Sequence, residues 1–448
     1  MAGQTAFPAP PIALRLIACA LGVMAIASLA ANARAQTLAG EVVANQSQSA
    51  PSAPRAQKTH CKDRRLAPES RCVFVSVPET RAHPESRSID IFVHILKSSD
   101  PEPKADPIVY LDGGPGAASD DAVRWLRWRR DIRADRDVII VFQRGAAGSD
   151  HALCPAAGSI WTRTFLGDET APSAEAKIAE ALADCFRRRR AEGVDIAAYA
   201  TSENAADLRD VRRALGIEQW NIWGSSYGTA LAQALIAIDG DAVRSVLLDG
   251  VVLPEEGWTD VAPARFGAAL ARVDALCRAQ PRCAASFDPF SDHIDRAIAR
   301  LAAEPYALPE QQFSAVAADG RVNIESAPFT LNARDLEAIL STFLYDPSLF
   351  PFIPLLTRAI EENDAALIER LAATVAGPGG AVGFDFGAFY AMACRFPRST
   401  HMAGSIDDPM RDAIADGRDA IADGRNASGA AQPAFAGLSI RGICDALG

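Results

Sequence analysis

Short runs rich in β-branched and aromatic residues punctuate the first 250 residues, at 72–77, 89–96, 108–111, 138–142, 220–223 and 246–248. The last three are apolar at nearly every position, as strands buried on both faces of a parallel sheet are. Helical periodicity fills the gaps at 174–190, 203–215 and 229–238. Strands alternating with helices predict an α/β fold, a mostly parallel sheet with helices on both faces. After Val252 the pattern changes. Amphipathic runs at 262–277, 292–303, 333–343 and 355–373 follow, with no strand pattern of comparable strength. They predict a helical cap inserted after the sixth strand, so that 61–255 form the core and 256–448 a mainly helical cap. Residues 36–60, rich in Ala, Gln, Ser and Pro, read as a disordered leader.

The N-terminus carries a different pattern. Arg15 precedes a weakly apolar run at 16–31, and Ala33-Arg34-Ala35 is an A-x-A cleavage signature, so 1–35 read as a secretory signal cleaved near Ala35. The apolar run falls short of the roughly 20 residues that span a bilayer. Leu16-Ile17-Ala18-Cys19 is a poor lipoprotein box, because the apolar core follows the cysteine instead of preceding it. An exported chain without a membrane anchor is expected.

Signal removal takes two arginines and no acid, so the formal charge moves from −11 to −13. Such a chain repels phosphate backbones, which argues against nucleic acid as a partner. The basic runs at 124–136 and 187–190 read as solvated helix faces. Nine cysteines become eight: Cys61, Cys72, Cys154, Cys185, Cys277, Cys283, Cys394 and Cys444. An even count in an exported chain points to disulfides, and although eight cysteines allow 105 connectivities, sequential pairing is the simplest. No spacing resembles a metal site and no cofactor is expected.

The candidate chemistry centres on Gly224-Ser225-Ser226-Tyr227-Gly228, a G-x-S-x-G pentapeptide between a strand-like and a helix-like run. A strand turning sharply into a helix exposes Ser226 as a nucleophile, and Gly224 and Gly228 leave room for the turn. The helix N-terminus favours a developing oxyanion. One oxyanion donor is expected from the N–H of Tyr227 and a second from the loop after the 108–111 strand, Asp112-Gly113-Gly114-Pro115-Gly116, where glycines allow close approach.

Together these motifs resemble the proline iminopeptidase and tripeptidyl aminopeptidase branch of the α/β-hydrolases. The resemblance rests on G-G-P-G at 113–116, G-x-S-Y-G at 224–228, Gln143-Arg144-Gly145, the 202–208 stretch before the nucleophile strand, and Leu248-Asp249-Gly250-Val251 after it. It covers roughly 70–255 and implies a serine exopeptidase acting on peptide N-termini, with Ser226 as nucleophile and Gly114 and Tyr227 as oxyanion donors. An esterase on the same scaffold, taking a small ester, is the alternative substrate class. Oligomeric state is left open.

Three departures accompany the resemblance. Phe142 stands where the family has the Asp of D-Q-R-G, and Phe396 in Cys394-Arg395-Phe396 stands where an acid that anchors the substrate amine is expected. The third is that no G-x-x-D or G-H-G-like stretch follows, so the last strands, with the triad acid and base, are expected to be missing; the exopeptidase is then completed by further sequence or by an unusual base, and a truncated, impaired or inactive relative is the alternative. Of the six histidines, His60, His83, His94, His293 and His401 sit in the leader, an early loop, an early strand or the cap. His151 lies near the catalytic edge and is the least improbable base. The 245–250 strand is then expected to be an exposed apolar edge. The seven-residue unit at 411–417 repeats at 418–424 and reads as a local duplication.

Overall fold

The structure, a computed structural model, describes residues 54–62, 69–83, 85–149, 152–254, 258–287, 289–372, 383–396 and 440–447, with backbone only for 258–264. The expected signal, His151, His401 and the duplicated heptad lie outside the described residues.

The strands are β1 (Ala56–Thr59), β2 (Ser70–Pro78), β3 (Ser88–Leu96), β4 (Ile108–Leu111), β5 (Val138–Val141), β6 (Trp220–Ser225) and β7 (Val243–Asp249). They form a sheet in the order β1-β2-β3-β5-β4-β6-β7. The block β5-β4-β6-β7 is parallel, and β1, β2 and β3 add to it antiparallel. Every strand read from the sequence is present. β1 is a correction, because it falls inside the expected leader. Its Ala-Gln-Lys-Thr sequence has no apolar signal, and its place is set by pairing with β2 and by the neighbouring Cys61–Cys72 disulfide.

Helices cover both faces. On one side lies α1 (Asp120–Trp128), which overlaps the basic run expected to be a solvated helix face; its Ala122, Val123 and Leu126 pack on Phe92, Tyr110 and Phe142. On the other lie α2 (Ala157–Leu166), α3 (Ala171–Ala191), α4 (Thr201–Ala214) and α5 (Tyr227–Asp239), over Val109, Ile139, Trp220 and Ile222.

Beyond β7 come α6 (Trp258–Arg278), α7 (Pro281–Phe287) and α8 (Phe290–Ala303), then a hairpin of β8 (Tyr306–Val316) and β9 (Val322–Leu331). The hairpin adds two strands that the mainly helical expectation for this stretch did not include. Its strands expose alternate positions, including Val322 and Ile324, so the apolar signal per residue is weak. Next come α9 (Ala333–Phe343), α10 (Phe352–Glu362) and α11 (Ala365–Ala372). The run read as one helix at 355–373 breaks at Asn363, whose left-handed φ of 57° caps α10.

Packing also moves the domain boundary. Helices α8 to α11 and the hairpin share a core with Phe165 and Leu166 of α2. By contrast, α12 (Phe386–Ala393) and α13 (Ile440–Leu447) return to the main sheet core. The expectation that all of 256–448 forms the cap is therefore corrected at 386–396 and 440–447. Four disulfides, Cys61–Cys72, Cys154–Cys185, Cys277–Cys283 and Cys394–Cys444, pair in sequential order. The last ties α12 to α13.

β7 is the outer strand on the parallel side, and Val246, Leu247 and Leu248 are 40%, 54% and 36% exposed. The run is apolar like a strand buried on both faces, but it lies at the sheet edge, as expected for 245–250, and no neighbour covers it among the described residues. An open apolar edge templates association. The 448-residue chain is expected to elute above monomer size on gel filtration, and Leu247→Lys combined with Leu248→Glu to shift it towards monomer; a monodisperse wild-type monomer would contradict this.

Candidate active site

β6 runs into α5 through Ser226, which is exposed and held at φ 53°, ψ −123°. Backbone in such a region costs on the order of 1–3 kcal/mol for a non-glycine residue and persists only when its surroundings over-determine it. Here Ser226 N donates to Asp249 O at 2.8 Å, and Ser226 O accepts from Thr229 N at 2.9 Å and Thr229 Oγ1 at 2.7 Å. A Cβ on Gly224 would stand 2.5 Å from Gly228 O, and one on Gly228 would run into the Leu111 carbonyl. Both glycines are thus required by close approach of strand, turn and helix.

The loop after β4 meets this elbow. A Cβ on Gly113 would lie 3.0 Å from Ser226 Cβ and 3.5 Å from Ser226 Oγ. Gly114 and Gly116 have φ of 111° and 94°, values that side chains disfavour. Gly113 N is taken by the Asp112 carboxylate at 2.9 Å, and the Asp112 carbonyl by Gln143 Nε2 at 2.9 Å. Burial pushes the Asp112 carboxyl above its ordinary pKa, against the opposing Gly113 N–H. Tyr227 opens α5, so its N–H has no carbonyl partner within the helix. Ser226, Gly113 and Tyr227 are brought together, with Gly114 and Gly116 in the adjoining turn.

A buried ion network stands behind the loop and accounts for the Gln143-Arg144-Gly145 and 202–208 stretches. Arg144 is 1% exposed and grips Asp207 through Nε at 2.7 Å and Nη2 at 2.6 Å, while Nη1 donates to Glu79 O and Ala198 O. Arg81 bridges Glu203, Asp207 and Asp210. Removing one partner of a buried pair strands the other charge, a loss of about 3–5 kcal/mol. Arg144→Ala is expected to lose that much in denaturant unfolding, and a loss under about 1 kcal/mol would contradict a buried, coupled network.

None of the described histidines is hydrogen-bonded to Ser226. His94 is buried with Nε2 on Ser70 Oγ at 2.8 Å, and burial, then the Lys62 charge, lowers its pKa to about 4. His293 pairs Nδ1 with Glu361 at 2.8 Å between α8 and α10 in the cap. His83 faces Glu85 on the surface and His60 is exposed. The depressed His94 pKa has a stability consequence. The unfolded histidine takes a proton near 6.5 and the folded one does not until about 4, so this contribution is present above about 6.5 and is lost as pH falls towards 4. His94→Gln is expected to flatten the loss of stability between pH 6.5 and 4, followed by urea unfolding at several pH values; an unchanged slope would contradict it.

A family model described as alpha/beta hydrolase fold matches residues 106–275, from just before β4 through the elbow and into α6. Residues 106–275 carry the α/β-hydrolase fold. The tripeptidyl aminopeptidase of Streptomyces coelicolor is 28% identical over 203 residues, 41% of this chain and 35% of that protein. The proline iminopeptidase of Neisseria gonorrhoeae is 23% identical over 163 residues, 36% of this chain and 38% of that protein. The matched stretch thus spans little more than a third of these curated relatives. A proline iminopeptidase structure from Mycobacterium smegmatis aligns at 21% identity with a TM-score of 0.26, over 48% of this chain and 59% of that one.

Two of the three departures from the family pattern have packing explanations. Phe142 is 1% exposed, stands edge-on to Phe92 at 5.0 Å and lies under the Lys62 ammonium at 4.4 Å. Phe396 is 8% exposed and packs edge-on against Tyr227 at 6.4 Å, so an apolar contact to the nucleophile helix occupies the place of the expected acid. Sequence reading missed that residues 383–385 reach the Gly113–Gly116 loop: Ala118 N donates to Gly383 O, and Asp385 N to Gly116 O. No local signal announces this contact, which spans some 270 positions.

Proposed function

We propose that this chain is an exported serine hydrolase of aminopeptidase type, cleaving residues from peptide N-termini through an acyl-enzyme on Ser226. The observation that carries the reading is the exposed Ser226 held at positive φ against Gly113. In the reaction Ser226 Oγ attacks the scissile carbonyl carbon while a base takes its proton. The N–H groups of Gly114 and Tyr227 hold the oxyanion, the amine leaves with a proton, and water then releases the acyl group. The names of the relatives support the aminopeptidase class, and four disulfides support export with a signal cleaved near Ala35.

A second reading is favoured by a specific observation: no described histidine bonds to Ser226. A hydrolase lacking its base retains only about 10³–10⁴-fold acceleration over water from the oxyanion hole and binding, so the chain would be an impaired hydrolase or an inactive relative that binds peptides. The buried Phe396 in place of an acid favours ester over free-amine substrates, a third possibility on the same scaffold.

Fluorophosphonate labelling of purified protein, with Ser226→Ala as control, separates these readings. Labelling that depends on Ser226 is expected, and its absence would sink the hydrolase. Ser226-dependent turnover of aminoacyl amides would then establish the peptidase, and turnover of simple esters with none of the amides the esterase.

A further inference from the structure

Asp385 lies far from the elbow in sequence and is 1% exposed. A buried carboxylate is costly unless its oxygens are satisfied. Both are spent on backbone N–H groups: Oδ1 accepts from Ala388 N at 2.8 Å, capping α12, and Oδ2 accepts from Cys154 N at 2.7 Å. Cys154 is itself fixed by its disulfide to Cys185 in the main core. The first turn of α12 rests on that disulfide so closely that a Cβ on Gly387 would lie 2.5 Å from Cys154 Sγ.

The main chain of the same segment holds the loop beside Ser226. Asp385 N donates to Gly116 O at 2.9 Å, Ala118 N donates to Gly383 O at 2.7 Å, and Ala117 and Phe384 form an antiparallel bridge. The Asp385 carbonyl sits where a Gly116 side chain would be. From the other side Ala147 N also donates to Gly116 O, at 3.1 Å.

We infer that Asp385 is a positioning residue for the oxyanion loop, its main chain fixing Gly116 and its carboxylate anchoring that main chain to Cys154. The inference rests on the reading of Gly113–Gly116 as the oxyanion loop. Through Asp385 the disulfide-braced α3 side of the core sets where the Gly114 N–H points. Small misplacements of such donors cost heavily in rate.

Asp385→Ser tests it. Serine is a good helix cap, so the bond from Ala388 N is retained, but its side chain is too short to reach Cys154 N. The variant is expected to accelerate amide hydrogen exchange in residues 113–118 about ten-fold or more, with exchange in β2 and β3 unchanged. Its fluorophosphonate labelling should slow by about ten-fold or more in the inactivation rate constant, with little change in reversible affinity. Unchanged exchange at 113–118 in the folded variant would overturn the inference, as would a uniform rise across the sheet, which marks a merely structural role. Should Asp385→Ser fail to fold, Asp385→Asn, which keeps the shape but offers one acceptor for two N–H groups, is read the same way. Absence of labelling in the wild type would count against the hydrolase reading alone, because the exchange experiment does not need a reactive Ser226.

Discussion

The site depends on one backbone constraint: Ser226 at φ 53° between the last residue of β6 and the first of α5. Everything within reach is arranged so that this residue cannot relax. Gly228 is packed against the Leu111 carbonyl of β4, Gly224 against Gly228, and the Ser226 amide is claimed by Asp249 at the end of β7. Three adjacent parallel strands therefore converge on a single peptide unit. The strain is small beside the packing that enforces it, and its effect is to put a hydroxyl at the surface with a helix N-terminus behind it.

Outside the elbow, the fold supports the facing loop by different physics. The Arg144 and Arg81 ion network pins the chain after β5 to β2 and α4. Gln143 passes that rigidity to the Asp112 carbonyl. On the far side the return of 383–396 closes the loop with main-chain hydrogen bonds and with Phe396 against Tyr227. The cap helices and hairpin have their own apolar core, joined to the main one through Trp161, which stacks on Phe165 and Phe386.

Much of this was legible in the sequence where physics is local. Glycine spacing around Ser226, doubly apolar strands and helical periodicity each report a constraint within a few residues, and the strands and the elbow sit where those signals point. What escaped was decided at a distance. β1 is polar and held by pairing and a disulfide, and the cap hairpin alternates too weakly to stand out. Asn363 splits a helix that periodicity alone runs together. The α12 segment looks like cap by position and belongs to the main core by contact. The triad acid and base could not be read from the sequence, and no described histidine bonds to Ser226.

On the proposed reading, the elbow and the Gly113–Gly116 loop are already arranged around a tetrahedral oxyanion. A crystal structure of the protein after phosphonylation of Ser226 tests it most directly. The account predicts Ser226 still at positive φ, with the phosphonyl oxygen about 2.7–3.1 Å from both Gly114 N and Tyr227 N. A relaxed Ser226 at negative φ, or a phosphonyl oxygen turned away from both amides, would contradict it.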